Sequence, residues 1–447
     1  MSFSVDKQTL DELNLLGKFK EGSVYNLFNQ VNTTGGEQML EKMFLSPLDN
    51  ATDINSRVEI LQYFQRQLPG FPFDYKTVEM MQEFMDGQLT EGGLMIMGRV
   101  VAGKLLARLT RDERYGKIVR GLQSIIQVLQ ACDSFVKKMS ADRADHPYKA
   151  TLQNVEAILA IPRVKTLLAS DIYAGLSLKT VAYYYYQLKK QLYTQMHTLL
   201  SFIYEVDVWV AVSDVARSKN MTYPQAMAPE ENKLLAMGLC HPTMEKAVGN
   251  SCVMHTDNNV MFLTGANMAG KSTWMKTIGI AVYLAHMGFP VSAEKMVFSV
   301  RDGLYTSINV ADNVNLGYSH FYAEVVRVKQ AAEAVSKGQR LILMFDELFK
   351  GTNVKDAYDG TLAVSAAFSA YRNCLFVIST HIIEVAAALK EYPNIRFVYM
   401  PTIMEGAKPG YTYTLKEGVT EDRQGMIMIR NEGILELLDQ YNTHLFK

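Results

Sequence analysis

The sequence has few cysteines and no long apolar run. Its four cysteines lie far apart and form no C-x-x-C pair, which argues against a zinc site of that type and against a disulfide framework. No apolar stretch is long enough to span a bilayer, and the first residues, Met1 to Asp6, lack a basic region followed by an apolar one. We therefore expect a cytoplasmic protein with reduced thiols and no membrane contact.

The chain also lacks an excess of charge of either sign. Its 447 residues include 45 Lys and Arg and 46 Asp and Glu, so the formal net charge is −1. Affinity for DNA depends mainly on clustered cations that neutralise phosphates, so any DNA contact must be local. The strongest basic cluster has several members three or four residues apart. It either lines a groove for DNA or a partner, or forms a solvated helix face. Its members are Arg99, Lys104, Arg108, Arg111, Arg114, Lys117 and Arg120.

A short apolar run over residues 260–263 leads directly into the glycine-rich segment G-A-N-M-A-G-K-S-T. The spacing G-x-x-x-x-G-K-S is typical of a P-loop, a turn between a strand and a helix whose backbone N–H groups converge on phosphate oxygens. Lys271 is predicted to reach the β- and γ-phosphates, and Ser272 to place its hydroxyl on Mg²⁺. The residues that we expect to bind the nucleotide are Gly265, Asn267, Met268, Ala269, Gly270, Lys271, Ser272 and Thr273.

Polar side chains follow two later apolar runs of strand length. Asp346 and Glu347 end the run that starts at residue 340, and His381 follows the run that starts at residue 374. Open parallel sheets bind ligands along the carboxyl edge of their strands. Asp346 is therefore predicted to hold Mg²⁺, Glu347 to orient or deprotonate the attacking water, and His381 to sense the γ-phosphate. The alternatives are a surface turn for the acidic pair and a helix-capping segment that leaves His381 without a role.

Three further motifs accompany the P-loop, and together they resemble the motifs of one protein family. They are Leu239-Cys-His-Pro242, Ser319-His-Phe-Tyr-Ala-Glu324, and Asp346-Glu-Leu-Phe-Lys-Gly-Thr352 followed by Asp359-Gly360. With Asn267-Met268 in the P-loop, these segments resemble the MutS family of DNA mismatch-repair ATPases, a branch of the ABC-type P-loop ATPases. The resemblance is strong in the second half of the chain and weaker before it.

The resemblance implies a site shared between two subunits. In the family, the segment that matches Ser319–Glu324 approaches the nucleotide of the partner subunit, so Ser319 is the candidate for a contact across a dimer. The chain departs from the family pattern at His320, which replaces Thr, and at Ala266, which replaces Pro. The stretch Gly249–Cys252 lacks the aromatic residue that stacks on adenine in the family.

The predicted fold is α + α/β in two domains. Residues 1–225 carry apolar residues at three- and four-residue spacing and are predicted to form an all-helical domain, which the resemblance identifies as core and lever. Residues 226–447 are predicted to form an ABC-type P-loop ATPase domain. The resemblance also implies that the mismatch-reading and connector domains are missing.

The sequence thus predicts an ATPase that uses ATP and Mg²⁺ at a composite site in a homodimer formed through the ATPase domain. By resemblance, its hydrolysis drives a conformational switch on double-stranded or branched DNA, as in mismatch repair. The alternative is a nucleotide-switched scaffold that binds a protein partner, such as a repair protein, with little direct DNA contact.

Overall fold

The computed structural model describes most of the chain. The ranges described are 3–17, 22–67, 70–86, 114–140, 146–170, 177–308, 320–405 and 408–420, with isolated positions at 95, 98, 102, 104, 433–434 and 437–438. Helices and mixed sheets both occur, as the predicted fold class requires. None of the described helices is long and apolar enough to cross a bilayer.

The helices differ widely in length. Those described are α1 (Lys7–Glu12), α2 (Val24–Phe28), α3 (Thr34–Leu45), α4 (Ala51–Gln67), α5 (Tyr75–Met85), α6 (Arg114–Ser140), α7 (Lys149–Leu159), α8 (Pro162–Leu168), α9 (Leu178–Tyr186), α10 (Tyr193–Ser218), α11 (Lys271–His286), α12 (His320–Ser336), α13 (Val354–Ser369) and α14 (Ile383–Leu389). A π-helical segment, Gln187–Gln191, follows α9.

The strands are short, and most lie in the second half of the chain. Those described are β1 (Ser4–Val5), β2 (Gln225–Met227), β3 (Leu234–Leu239), β4 (Asn250–Met254), β5 (Val260–Gly265), β6 (Lys295–Ser299), β7 (Gly303–Ser307), β8 (Leu341–Asp346), β9 (Leu375–Ser379), β10 (Ile395–Met400), β11 (Thr402–Glu405), β12 (Lys408–Tyr411) and β13 (Lys416–Glu417). The strands predicted from the apolar runs that begin at residues 260, 340 and 374 are confirmed as β5, β8 and β9.

The largest sheet has the order β1-β7-β8-β9-β5-β10-β13, and its strands are parallel except for the last pair. Because parallel strands share their direction, the carboxyl ends of β5, β8 and β9 meet at one edge. These strands are buried along nearly their whole length, which explains why they appear in the sequence as continuous apolar runs. Stacked rings of Phe345, Phe368 and Phe376 pack one face of the sheet against α13.

A second sheet has the order β2-β6-β3-β4. Its β3 and β4 form an antiparallel pair whose register shifts between Ala236 and Leu239. The Cα of Gly249 lies so close to this pair that an added Cβ would be 3.0 Å from the carbonyl oxygen of Gly238. This sheet carries the segment from His241 to Asn250.

The chain divides into two compact units that are interleaved in sequence. One unit comprises residues 1–27, 46–58 and 218–447, and the other comprises residues 28–45 and 59–217. The two-residue strand β1 pairs with β7 in the first unit, and it was not anticipated from sequence. The division into domains 1–225 and 226–447 remains a prediction.

In the second unit, the described elements are helices, and α3 packs closely on α10. Asp207 of α10 is buried, and its carboxylate accepts hydrogen bonds from the backbone N–H of Asn32 (3.0 Å) and of Thr33 (2.8 Å) just before α3 begins. A Cβ on Gly35 would clash with the ring of Tyr204. The sequence T-T-G-G therefore gives α3 both its N-terminal cap and its close approach to α10.

Candidate functional site

The glycine-rich segment forms a tight turn between β5 and α11. Gly265 has a φ of 150° and Gly270 a φ of 104°, values that side chains with a Cβ rarely adopt. Met268, at the exposed tip of the turn, also has a positive φ of 68°. Helix α11 begins at Lys271 directly after the turn, so its free N–H groups are directed towards the loop. This strand–turn–helix arrangement is the context that a P-loop requires.

Lys271 folds back over this turn. Its side chain is buried, and Nζ donates to the carbonyl oxygens of Gly265 (2.9 Å) and Ala266 (3.1 Å). Burial lowers the pKa of Lys271, while the nearby carboxylates of Glu347 and Asp346 act in the opposite direction. The turn therefore encloses an amine that gains an ionic partner when an anion enters, and anion binding will favour its charged form.

Asp346 lies between two serine hydroxyls at the carboxyl edge of the sheet. The hydroxyl of Ser272 donates to Oδ2 of Asp346, and the hydroxyl of Ser379 donates to Oδ1. The ends of β8 and β9 and the start of α11 thus contribute oxygen atoms at one point. Hard oxygen donors of this kind suit Mg²⁺, which usually takes one or two carboxylates together with substrate phosphates and water. The described residues include no cluster of three or more His, Cys, Asp or Glu side chains that could hold a metal ion.

Glu347 and His381 face each other beside this group. His381 Nδ1 lies 3.8 Å from Oε1 of Glu347, which is beyond hydrogen-bond distance but close enough for charges to interact. His381, together with Lys271, holds the pKa of Glu347 below its usual value, although burial raises it. The Glu347 backbone N–H donates to the carbonyl oxygen of Ser379 (3.1 Å), which ties the ends of β8 and β9 together.

A cavity of about 560 Å³ opens beside the turn, and its walls are partly apolar. Burial and the charge of Lys276 lower the pKa of His241, which lies in this wall and should be neutral near pH 7. The lining residues are His241, Met244, Lys246, Ala247, Val248, Asn250, Asn267, Met268, Gly270, Lys271, Ser272, Thr273, Trp274, Thr277, Glu347, Met400 and Tyr413.

The structure brings together most of the residues predicted from sequence. Asn267, Met268, Gly270, Lys271, Ser272, Thr273 and Glu347 line the cavity, and Asp346 and His381 adjoin it through Ser272 and Glu347. Gly265 and Ala269 belong to the turn without lining the cavity, and Ala269 is buried. Ser319 lies outside the described residues, so the predicted contact across a dimer stays a prediction.

Tyr413 also belongs to the site, although no sequence motif predicts it. This residue supplies an aromatic wall to the cavity, although the stretch after His241-Pro242 has no aromatic residue. Tyr413 lies 172 positions after His241 (413 minus 241), beyond the hairpin of β11 and β12. Its only signal in the sequence is the alternation Tyr411-Thr-Tyr413-Thr ahead of a short strand, which is too common to indicate a binding site.

The basic cluster is described only in part. Lys117 and Arg120 are exposed on α6, whereas Arg99, Arg108 and Arg111 lie outside the described residues. The amine of Lys104 lies 5.6 Å from the ring centre of Tyr115. The choice between a binding groove and a solvated helix face stays open.

Comparison with known proteins finds similarity to MutS proteins. Residues 261–438 match the family model of MutS domain V. The DNA mismatch repair protein MutS of Lysinibacillus sphaericus (strain C3-41) is 26% identical over 410 residues, which cover 88% of this chain and 46% of that protein. The protein of the same name from Geobacillus kaustophilus (strain HTA426) is 27% identical over 251 residues, which cover 55% of this chain and 28% of that protein. The chain thus spans less than half the length of these relatives.

Proposed function

We propose that the chain is an ATPase that hydrolyses ATP to ADP and phosphate, because residues 261–438 match the model of MutS domain V and a MutS protein aligns with 88% of the chain. One observation carries this proposal. Lys271 and Ser272 at the start of α11 and Asp346 and Glu347 at the end of β8 come from two separate segments, and they converge beside a cavity at the carboxyl edge of a parallel sheet. The arrangement of loop, amine, hydroxyl and two carboxylates is the one that P-loop hydrolysis needs.

The chemistry follows from where these groups lie. The turn N–H groups and Lys271 hold the phosphates, and the carbonyl contacts of Nζ are exchanged for phosphate oxygens. Mg²⁺, held by Ser272 and Asp346, would offset charge on the β- and γ-phosphates. Glu347 stays ionised because His381 and Lys271 lower its pKa, so it can accept a hydrogen bond from the attacking water or take its proton. His381, whose Nδ1 lies 3.8 Å from Oε1 of Glu347, is the proposed sensor of the γ-phosphate.

The relatives carry the name DNA mismatch repair protein, and on this basis we extend the proposal to DNA. ATP binding between the ATPase domains of two subunits, with Ser319 reaching across, would drive a helical core and lever region in residues 1–225 that acts on duplex or branched DNA. The near-neutral charge favours a second candidate, a nucleotide-switched scaffold for a protein partner such as a repair protein.

The test is steady-state ATP hydrolysis by the purified protein, with Lys271→Ala as the blank. The rate is measured alone and with homoduplex, mismatched and four-way-junction DNA. Stimulation by one DNA structure supports the DNA-acting function and identifies its substrate class. A rate that depends on Lys271 but that no DNA changes supports the scaffold, and a rate equal to that of Lys271→Ala contradicts the ATPase itself.

The dimer is tested separately with a variant that binds ATP without turning it over. Glu347→Gln in saturating ATP and Mg²⁺ should sediment as a dimer, whereas Lys271→Ala under the same conditions should not. A Glu347→Gln protein that stays monomeric with ATP bound contradicts the composite site.

A further inference from the structure

Arg327 of α12 is a buried charged residue that the proposed chemistry of hydrolysis leaves without a role. Only 5% of its surface is exposed, and its guanidinium forms a bidentate ion pair with Asp6, near the start of the chain. The carbonyl oxygen of Thr306 accepts hydrogen bonds from Nε (3.0 Å) and Nη2 (2.6 Å) of the same group. Breaking a buried ion pair leaves a charge without compensation, so these contacts fix Arg327 strongly.

Tyr305, on β7, also contacts Arg327. The guanidinium carbon lies 3.7 Å from the centre of the Tyr305 ring, and the Tyr305 hydroxyl donates to the backbone carbonyl oxygen of Arg327 (2.6 Å). A cation this close to an aromatic face is attracted by the ring. Both the side chain and the backbone of Arg327 are therefore bound to β7, and α12 cannot slide or rotate without breaking these contacts.

The N-terminal segment holds the same region from the edge of the sheet. Asp6 caps α1 by accepting from the backbone N–H of Thr9 (2.8 Å), and the same carboxylate pairs with Arg327. Burial raises the pKa of Asp6, but hydrogen bonds from Arg327 and Thr9 hold it below its ordinary value. At the end of α1, Glu12 accepts from the backbone N–H of Ile308 (3.0 Å), directly after β7. Residues 6–12 thus fix the end of β7 and, through Arg327, helix α12.

One turn before Arg327, Glu324 connects α12 to the loop that follows β8. Its side chain is also buried, and its carboxylate accepts from the backbone N–H of Gly351 (3.4 Å). A Cβ on Gly351 would lie 2.8 Å from the backbone nitrogen of Phe321, so only a glycine allows the loop to come this close to the first turn of α12. The loop over residues 347–351 is therefore packed directly on α12.

This loop begins with Glu347, the residue proposed to act on the attacking water. Glu347 and Phe349 both have a positive φ, of 54° and 63°, and such a conformation persists only where the surroundings impose it. Phe349 packs on Phe321 of α12, with 6.2 Å between the ring centres. Glu324 and Glu347 also line one small cavity, together with Ile308 at the end of β7. The surroundings that impose the strained loop thus include α12.

We propose that Arg327 is a positioning residue for ATP hydrolysis, which holds α12 so that Glu324 and Phe321 keep the loop of Glu347 in its strained conformation. This role rests on the proposed function, because it presupposes that Glu347 acts on the water that attacks ATP. Arg327 does not occur among the described residues that line the nucleotide cavity, and its effect passes through α12. Asp6, 321 positions earlier in the chain, shares this role because it compensates the buried charge.

The test separates hydrolysis from nucleotide binding. Calorimetry with a non-hydrolysable ATP analogue and Mg²⁺ gives the dissociation constant and the fraction of protein that binds, and kcat is expressed per binding site. Arg327→Met removes the charge and the hydrogen bonds and keeps an apolar stem. Its kcat should fall about 10- to 100-fold, as expected when a reacting group is misplaced by about 1 Å, while affinity for the analogue is unchanged. A merely structural role would lower only the fraction that binds.

A double variant tests whether Arg327 acts through Glu347. Substitutions that affect one shared group are not additive. Arg327→Met combined with Glu347→Gln should therefore slow single-turnover hydrolysis no further than Glu347→Gln alone.

The matched control is Arg340→Met, which removes another arginine–aspartate pair, with Asp302, at the amino ends of β7 and β8. This variant should keep the wild-type kcat per binding site. Should Arg327→Met fail to fold, Asp6→Asn replaces it, because asparagine keeps an acceptor for the cap of α1 and loses the charge that compensates Arg327. Its kcat should fall in the same direction, again with unchanged affinity for the analogue.

Three results would overturn the role of Arg327. They are a wild-type kcat per binding site in the variant that folds, a loss of affinity as large as the loss of kcat, and a loss in the double variant that multiplies the two single losses. If the wild-type protein shows no ATP hydrolysis that Lys271→Ala abolishes, the proposed function itself fails. Hydrolysis that depends on Lys271 but not on Arg327 overturns only the positioning role.

Discussion

Glu347 has a left-handed backbone, with a φ of 54°, at the first position after β8. A non-glycine residue in this region is strained, and strain of this kind costs of order 1–3 kcal/mol. The turn that results directs the carboxylate away from Asp346 and towards Lys271 and His381. At the scale of the residue, two adjacent carboxylates therefore have different environments, one between serine hydroxyls and one beside a histidine.

Replacing Glu347 with Gln should separate binding from hydrolysis. The amide keeps the size of the side chain but cannot take a proton from water, so kcat should fall by about 10²–10⁴-fold while ATP affinity stays within a few-fold. Single-turnover hydrolysis and equilibrium binding of ATP measure the two effects. Glu384→Gln, at an exposed position of α14, serves as the control and should hydrolyse ATP normally. A Glu347→Gln enzyme with wild-type kcat would show that another group activates the water.

Removing His381 should shift the acidic limb of the pH–rate profile. His381 is the largest influence that lowers the pKa of Glu347, and a lowered pKa keeps the carboxylate ionised further into acid. In His381→Ala, that pKa rises, so Glu347 is protonated at a higher pH and activity is lost earlier on acidification. The profile of kcat/KM against pH measures this shift, and His255→Ala, which does not line the cavity, is the control. An acidic limb at its original pH in His381→Ala would contradict the influence of His381 on Glu347.

At the scale of the element, the start of α3 depends on a side chain from another helix. Four donor groups, the backbone N–H and the side chain of both Asn32 and Thr33, form hydrogen bonds to the carboxylate of Asp207 on α10. The hydroxyl of Thr33 also accepts a hydrogen bond from the backbone N–H of Gly36 (3.0 Å), so α3 has its own N-cap as well. The local cap and the contact from α10 specify the same helix start.

Asp207→Ala should destabilise this unit by about 2–4 kcal/mol, since it leaves the buried backbone N–H and hydroxyl of Thr33 without this acceptor. Chemical unfolding followed by circular dichroism measures the loss. Asp214→Ala provides a matched control on the same helix, because Asp214 is part of an exposed pair with Arg217 and should change stability by less than about 1 kcal/mol. Equal effects of the two substitutions would show that the contact between α10 and α3 contributes little.

Elements with strong local signals could be predicted from sequence, and those that depend on distant partners could not. The apolar runs of β5, β8 and β9 are long enough to indicate buried strands, and the P-loop spacing located the turn between β5 and α11. Strand β1 has only two residues, so no alternation is visible, and it exists because β7 offers an unpaired edge. Tyr413 enters the site through a left-handed turn and a hydrogen bond from the distant Asn250, neither of which leaves a pattern in the sequence.

At the scale of the whole molecule, the unit that holds the P-loop includes residues from the start of the chain. The ring of Phe3 stacks on His286 at 3.8 Å between centres, and His286 is fully buried at the end of α11. Leu48 exchanges hydrogen bonds with His286, and the amide of Asn55 does the same with the backbone of Ala226. Residues near the N-terminus are therefore part of the core around α11.

A fragment of residues 218–447 should be less stable than the same unit in the whole chain. The fragment lacks β1, which pairs with β7, and it lacks Phe3 and Leu48, which contact His286. Apolar surface around α11 therefore becomes exposed. Thermal unfolding and binding of a hydrophobic dye measure the difference. A second fragment, with residues 1–58 joined to 218–447 by a flexible linker, should recover most of the lost stability. Identical melting of the two fragments would show that the N-terminal contacts are dispensable.

The pairing of β1 with β7 also has a consequence for synthesis on the ribosome. Ser4 is aligned with Gly303, about 300 residues later in the chain. At typical elongation rates of about 5–20 residues per second, the first strand waits roughly 15–60 s before its partner has been made. During that time Phe3 and Leu13 have none of their final neighbours around α11, whereas residues 28–45 and 59–217 can already fold. Nascent chains should therefore be most prone to aggregation, and most dependent on chaperones, while the second half is still being translated.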